Sequence, residues 1–134
     1  NSLNNKLKVI FCIGENKTDK KMNRTFKVLN KQINSVLEKK FNYKDLIIAY
    51  EPIWSIGTGK IPEAKDLLKT TIFIKKVLKN IFKEATTPPV LYGGSVDADN
   101  ISQFKSLNEI DGFLIGGASK SYKKFIDIIK NYYR

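Results

Sequence analysis

Four short, β-branched and almost uninterrupted apolar runs punctuate the chain: Lys8–Ile13 (KVIFCI), Leu46–Tyr50 (LIIAY), Val90–Tyr92 (VLY) and Phe113–Ile115 (FLI). A strand with one face in water alternates apolar and polar residues. These runs do not, so both of their faces must be covered, as in a parallel sheet flanked by helices. Helical periodicity fills the gaps between them. Met22, Phe26, Leu29, Ile33, Val36 and Leu37 step by three and four, which predicts one amphipathic helix of about 20 residues. Leu67, Leu68, Ile72, Leu78, Ile81 and Phe82 do the same behind Pro62, a residue suited to a first helical turn. Ile101, Phe104 and Leu107 predict a shorter helix capped by Asp97. Tyr122, Phe125, Ile129 and Tyr132 predict a fourth, capped by Ser119 or Ser121. The order βαβαβαβα implies right-handed crossovers and one parallel sheet. Such a sheet has two edges, Lys8–Ile13 and Phe113–Ile115, and both are strongly apolar, so left bare they invite association. Closure into a (β/α) barrel hides edges of this kind but needs eight strands and about 250 residues. The 134 residues of this chain are near half of that.

Composition narrows the function classes. Hydrophobic residues make up 42% and aromatics 11%, enough to bury a core, and the length suits a single domain or part of one. The formal charge is +11, yet of the 24 basic residues only Arg24 and Arg134 are arginine. Bidentate recognition of bases and phosphodiesters favours arginine, so the charge reads as solvated lysine-rich helix faces and no nucleic-acid partner is expected. Cys12 is the single cysteine, which excludes an intrachain disulfide and fits a reducing compartment. No apolar run approaches the roughly 18 residues of a membrane span, and residues 1–6 lack the apolar core of a signal peptide. The expectation is a soluble, cytoplasmic protein with no membrane partner. The histidine count is zero, which removes Ser-His and Cys-His nucleophile pairs and histidine metal sites. No metal and no cofactor are expected.

The residues with chemical potential sit just after the strands, where α/β folds place their sites. Gly14-Glu15 follows the first strand, Glu51 to Lys60 (EPIWSIGTGK) the second, Gly93-Gly94-Ser95 the third and Gly116-Gly117-Ala118-Ser119 the fourth. Glycine-rich turns let backbone N–H groups approach an anion, and the helix N-termini that follow add positive dipole. One Gly-Gly is more often a tight turn than a ligand site. Three such loops on one face of one sheet favour phosphate binding. Glu51 is the acidic residue set directly at a strand end before a long glycine-containing loop. Taken alone, such a residue is ordinarily a salt-bridged structural carboxylate.

Ala49 to Lys60 (AYEPIWSIGTGK) resembles the signature of the triosephosphate isomerase family. Tyr92 to Val96 (YGGSV) and Asp111 to Ser119 (DGFLIGGAS) match that family's last two strand-loop motifs, and Cys12 to Glu15 (CIGE) the motif that closes its fifth strand. The motifs keep family order and spacing and span the chain from about residue 6 to residue 132. The resemblance implies the second half of a (β/α)8 TIM barrel, strands five to eight, with residues 1–134 as the C-terminal half of one domain. It implies Glu51 as catalytic base, exchanging a proton between neighbouring substrate carbons through an enediol(ate). It implies a closing lid over Pro52, Ile53, Trp54, Ser55, Ile56, Gly57, Thr58, Gly59 and Lys60, with Ile56 over the substrate. Gly57, Ser95, Gly116 and Gly117 would bind the substrate's phosphate, and the Tyr92 hydroxyl would latch the lid. The implied partners are a small phosphorylated triose, the missing N-terminal half of the barrel and, when complete, a second copy in a homodimer.

The sequence also departs from the family. The electrophilic histidine, the phosphate-facing lysine and a neighbouring asparagine belong to the first half and are absent here. Ile61-Pro62 stands where two small residues are usual, which stiffens the end of the lid. Ser55 replaces a common alanine, expected to be a neutral change, and Asp97 replaces an asparagine. The drift over 16–23 puts one inter-strand salt bridge in doubt. Two readings follow: a triosephosphate isomerase whose C-terminal half is inactive by itself, or a non-catalytic phosphate-binding half-barrel from a truncated or decayed gene.

Overall fold

A computed structural model describes Ser2, Asn5 and residues 7–134. Most of the leader reading of residues 1–6 therefore lies outside the described residues. Four strands, β1 (Val9–Ile13), β2 (Leu46–Tyr50), β3 (Val90–Tyr92) and β4 (Gly112–Phe113), form one sheet in the order β1-β2-β3-β4, every pair parallel. The helices are α1 (Lys17–Lys21), α2 (Thr25–Val36), α3 (Ala64–Phe82) and α4 (Tyr122–Tyr133). This is the alternating α/β order read from the sequence, and it forms half of a (β/α)8 barrel.

Register divides the strands into two faces. Phe11 pairs with Ile48 and Ile48 with Val90, while Cys12 pairs with Ala49 and Ala49 with Leu91. Ile48, Tyr50, Val90 and Tyr92 are buried in one cluster with Leu29 and Ile33 of α2 and Leu67, Ile74 and Leu78 of α3. The opposite face, with Ile10, Cys12, Ile47 and Leu91, is the inside of the unfinished barrel, and Ile10 is 47% exposed on it. Phe11 and Ile48 point the other way, onto the helix-covered side.

Several element boundaries differ from the periodic reading. The first predicted helix is two helices, because Asn23 adopts a left-handed backbone (φ 53°) that ends α1 and leaves Met22 exposed in the turn. An Arg24–Asp19 ion pair at 3.0 Å closes that turn. α3 starts at Ala64, so Pro62 precedes the helix instead of entering its first turn. Ile72, placed on the apolar stripe by spacing, is 48% exposed. The third predicted helix is a single 3-10 turn, Ile101–Phe104, preceded by an Asp97 carboxylate that accepts from the N–H groups of Asp99 (3.0 Å) and Asn100 (2.9 Å). Ser121, not Ser119, caps α4, accepting from the Lys124 N–H. β4 is shorter and earlier than Phe113–Ile115, because β3 offers only three residues to pair with.

Lys20 of α1 pairs with Asp66 of α3 at 3.0 Å and lies 5.9 Å from the Trp54 ring centroid, tying the loop after β1 to the helix behind the second loop. No helix among the described residues is long and apolar enough to cross a membrane.

Candidate active site

The parallel sheet brings the ends of β1, β2 and β3 side by side, and packing at those ends fixes Glu51. Its N–H donates to the Ile13 carbonyl at 2.7 Å, and the Gly93 N–H donates to the Tyr50 carbonyl at 2.9 Å, so the parallel ladder runs right up to the carboxylate. Two glycines make room for it. A Cβ on Gly14 would overlap the Glu51 carbonyl, and one on Gly93 would lie 2.6 Å from the Glu51 Cγ. Gln32 of α2 holds Gly14 from both sides, donating to its carbonyl and accepting from its N–H at 3.0 Å each. Cys12 neighbours Glu51 on the inner face. Partial burial, then a hydrogen bond to Glu51 and that residue's negative charge, push the Cys12 thiol up to about 11, so it stays protonated at neutral pH.

The segment after Glu51 is a run of turns. Ser55 N–H donates to the Pro52 carbonyl at 2.8 Å, and the Thr58 hydroxyl donates to the carbonyls of Trp54 and Ser55, both at 3.1 Å. Gly57 (φ 67°) and Gly59 (φ 72°) carry the left-handed backbone that reverses the segment, a conformation strained for side-chain-bearing residues. Three anchors hold it down. The Trp54 Nε1–H donates to Glu15 Oε1 at 2.8 Å. The Gly59 N–H donates to Ser95 Oγ at 3.1 Å, and that hydroxyl donates onward to the Ser55 carbonyl at 2.7 Å. The Ser55 side chain joins Tyr92 Oη at 3.0 Å. Ser55 was expected to be a neutral replacement. In the structure it is fully buried and makes several hydrogen bonds.

A cleft of about 430 Å³ opens among these strand ends, and Glu51, Ile56, Gly57, Ser95, Gly116 and Gly117 all line it. Lys60 and Thr58 stay outside it, and Pro52 is buried beneath the segment. Lys124, in the first turn of α4, lines the same cleft and brings a positive charge that the sequence reading missed. Its signal was a cation just behind the Gly-Gly loop, hidden among many lysines.

Glu15 was also missed. The carboxylate is 0% exposed and takes Tyr50 Oη (3.1 and 3.3 Å) as well as Trp54. Burial, then the Glu15 charge and hydrogen bond, hold the Tyr50 hydroxyl well above the usual phenol range. Burial likewise raises Tyr92, with the Ser55 hydrogen bond working against it. Both phenols therefore stay protonated and able to donate.

Comparison with known proteins agrees with this architecture. A family model described as triosephosphate isomerase matches residues 1–132. The chain is 42% identical over 125 residues to the triosephosphate isomerase of Thermodesulfovibrio yellowstonii, covering 92% of this chain and 51% of that protein. It is 41% identical over 132 residues to that of Coprinopsis cinerea, covering 96% and 52%. Against that of Saccharomyces cerevisiae the identity is 40% over 125 residues, covering 92% and 50%. The chain spans about half the length of the curated relatives it matches. Motifs at four strand ends, a parallel sheet with alternating helices and a family match along nearly its whole length lead to one assignment: this chain belongs to the triosephosphate isomerase family.

Proposed function

We propose that residues 1–134 are the C-terminal half of a triose-phosphate isomerase, which interconverts dihydroxyacetone phosphate and glyceraldehyde 3-phosphate once the N-terminal half completes the barrel. The observation that carries this reading is the shared cleft: the Glu51 carboxylate, the turn at Ile56-Gly57 and the Gly116-Gly117 loop all line it. In the proposed step Glu51 takes a proton from the carbon beside the substrate carbonyl. The C–H electron pair forms the carbon–carbon double bond of an enediolate, and the carbonyl oxygen takes up the charge. The hydroxyl proton on the first carbon passes to the charged oxygen, and Glu51 returns its proton to the former carbonyl carbon, so the carbonyl ends on the first carbon and the hydroxyl on the second. A positioned base of this kind contributes about 10²–10⁴-fold. The segment from Pro52 to Lys60 is the lid, Tyr92 its latch, and Gly57, Ser95, Gly116 and Gly117 the phosphate cradle, with Lys124 as a further cation. Excluding water under the lid protects an intermediate that could otherwise lose phosphate.

The electrophile that polarises the carbonyl must come from the first half, since this chain has no histidine. The completed protein is proposed to be a cytoplasmic homodimer. Turnover in D2O tests the reaction class: a proton held on Glu51 exchanges with solvent, so product should carry deuterium on carbon. Product formed without any solvent deuterium would point to direct hydride transfer and remove the enediolate.

The cradle has its own test. A Cβ added at Gly116 or Gly117 meets no heavy atom of this chain within 4 Å, so neither glycine is required by packing within residues 1–134. Gly117→Leu in the completed barrel is expected to change stability by less than about 1 kcal/mol. It should weaken a phosphate-bearing substrate analogue at least tenfold, roughly 1.4 kcal/mol. Equal affinity of the two proteins by isothermal titration would place the anion elsewhere.

A further inference from the structure

The Ser55 side chain occupies a junction that the proton-transfer scheme does not use. The residue is 0% exposed, and its Oγ reaches the Lys60 carbonyl at 2.6 Å, Tyr92 Oη at 3.0 Å and the Ser95 N–H at 3.3 Å. A serine hydroxyl has one proton and two lone pairs. A carbonyl can only accept, so the proton goes to Lys60. An N–H can only donate, so Ser95 takes one lone pair. Tyr92 must then donate to the other, and every direction in the junction is fixed. The partners come from the far end of the segment, the end of β3 and the loop behind it. A reciprocal bond from Ser95 Oγ to the Ser55 carbonyl clasps the same two residues a second time. Gly94 packs so close that a Cβ there would overlap the Tyr92 hydroxyl.

We propose that Ser55 is a positioning residue of the lid, its hydroxyl tying the lid's beginning to its end at Lys60 and tying both to Tyr92 and Ser95. Alanine keeps the Cβ but removes the atom on which all three partners converge. The inference rests on the lid reading above. It is tested on residues 1–134 joined to the complementary half-barrel.

Ser55→Ala is expected to speed hydrogen exchange at the Gly59 N–H about tenfold, the size of effect one buried hydrogen-bond network member supports. The amides of Ile48 and Tyr50 in β2 should keep their rates. kcat/KM should fall by a similar factor. Tyr92→Phe removes the same bond from its other side, so the double variant should exchange no faster at Gly59 than the worse single variant. Unchanged Gly59 exchange, exchange in β2 rising in step with it, or fully additive effects of the two substitutions would each overturn the proposal. If the unmutated protein has no isomerase activity, the isomerase reading falls, while the exchange comparison still decides the role of Ser55.

Discussion

Shortening Glu51 to aspartate in the completed barrel is expected to lower kcat by about 100-fold, because roughly 1 Å of misplacement at the reacting centre has that effect. Glu51→Gln, which removes the base while keeping the shape, should lower it further, on the order of 10³-fold. KM should change little in either variant, since the lost interaction belongs to the chemical step. The surroundings make the aspartate test sharp. The backbone of Glu51 is pinned to Ile13, and glycines at 14 and 93 are packed against its carbonyl and its Cγ, leaving little freedom to restore the lost reach. Steady-state kinetics on the purified variants checks this. Unchanged turnover in both would take Glu51 out of the mechanism and leave it a structural carboxylate.

The architecture was readable because the strands carry apolar residues on both faces, Ile10 and Leu91 on the open one as well as Ile48 and Val90 on the helix-covered one. That removes polar alternation from the sequence and leaves apolar runs easy to separate from the 3.6-residue stripes between them. What periodicity could not show was where a stripe breaks. Met22 continues the spacing of α2, yet Asn23 turns left-handed and splits the helix, a local backbone choice that leaves no trace in hydrophobic pattern. The short turn at Ile101–Phe104 carries two of the three apolar residues behind the predicted helix, and Leu107, beyond it, is buried without one.

Within the site, Glu51 and the glycine loops were legible from their place after strands, and the cleft does bring them together. Glu15 and Ser55 were not legible in their structural roles. A Gly-Glu after a strand says nothing of whether the carboxylate is buried. Nor does an Ala-to-Ser difference say that the added oxygen will meet Tyr92, Ser95 and Lys60. Both roles depend on contacts between residues 35 to 40 positions apart, which only the closed tertiary structure defines.

The edges give the second large effect. Beside β1, Val9, Phe11 and Val36 line one groove, and beside β4, Phe113, Ile115, Phe125 and Ile129 line another. Val36 is 50% exposed, Ile129 44% and Ile10 47%. Covering the open half of such a side chain is worth about 1 kcal/mol, so a handful of them amounts to several. That is comparable with the whole stability of a small domain, about 5–15 kcal/mol. Backbone groups at both sheet edges add unpaired donors and acceptors. The 15.3 kDa chain alone is therefore expected to self-associate or to lose fixed packing, and to have no isomerase activity. Supplying the complementary half, fused or in trans, should close the sheet and bring the electrophile to Glu51 in one event.

The most direct measurement is sedimentation combined with a coupled isomerase assay, on residues 1–134 alone and with the complementary half-barrel. The account predicts oligomers or polydisperse material without activity in the first case, and in the second a compact species whose activity appears together with assembly. A compact, stable monomer of residues 1–134 with substantial isomerase activity would contradict it, because Glu51 and the phosphate cradle would then suffice without the first half.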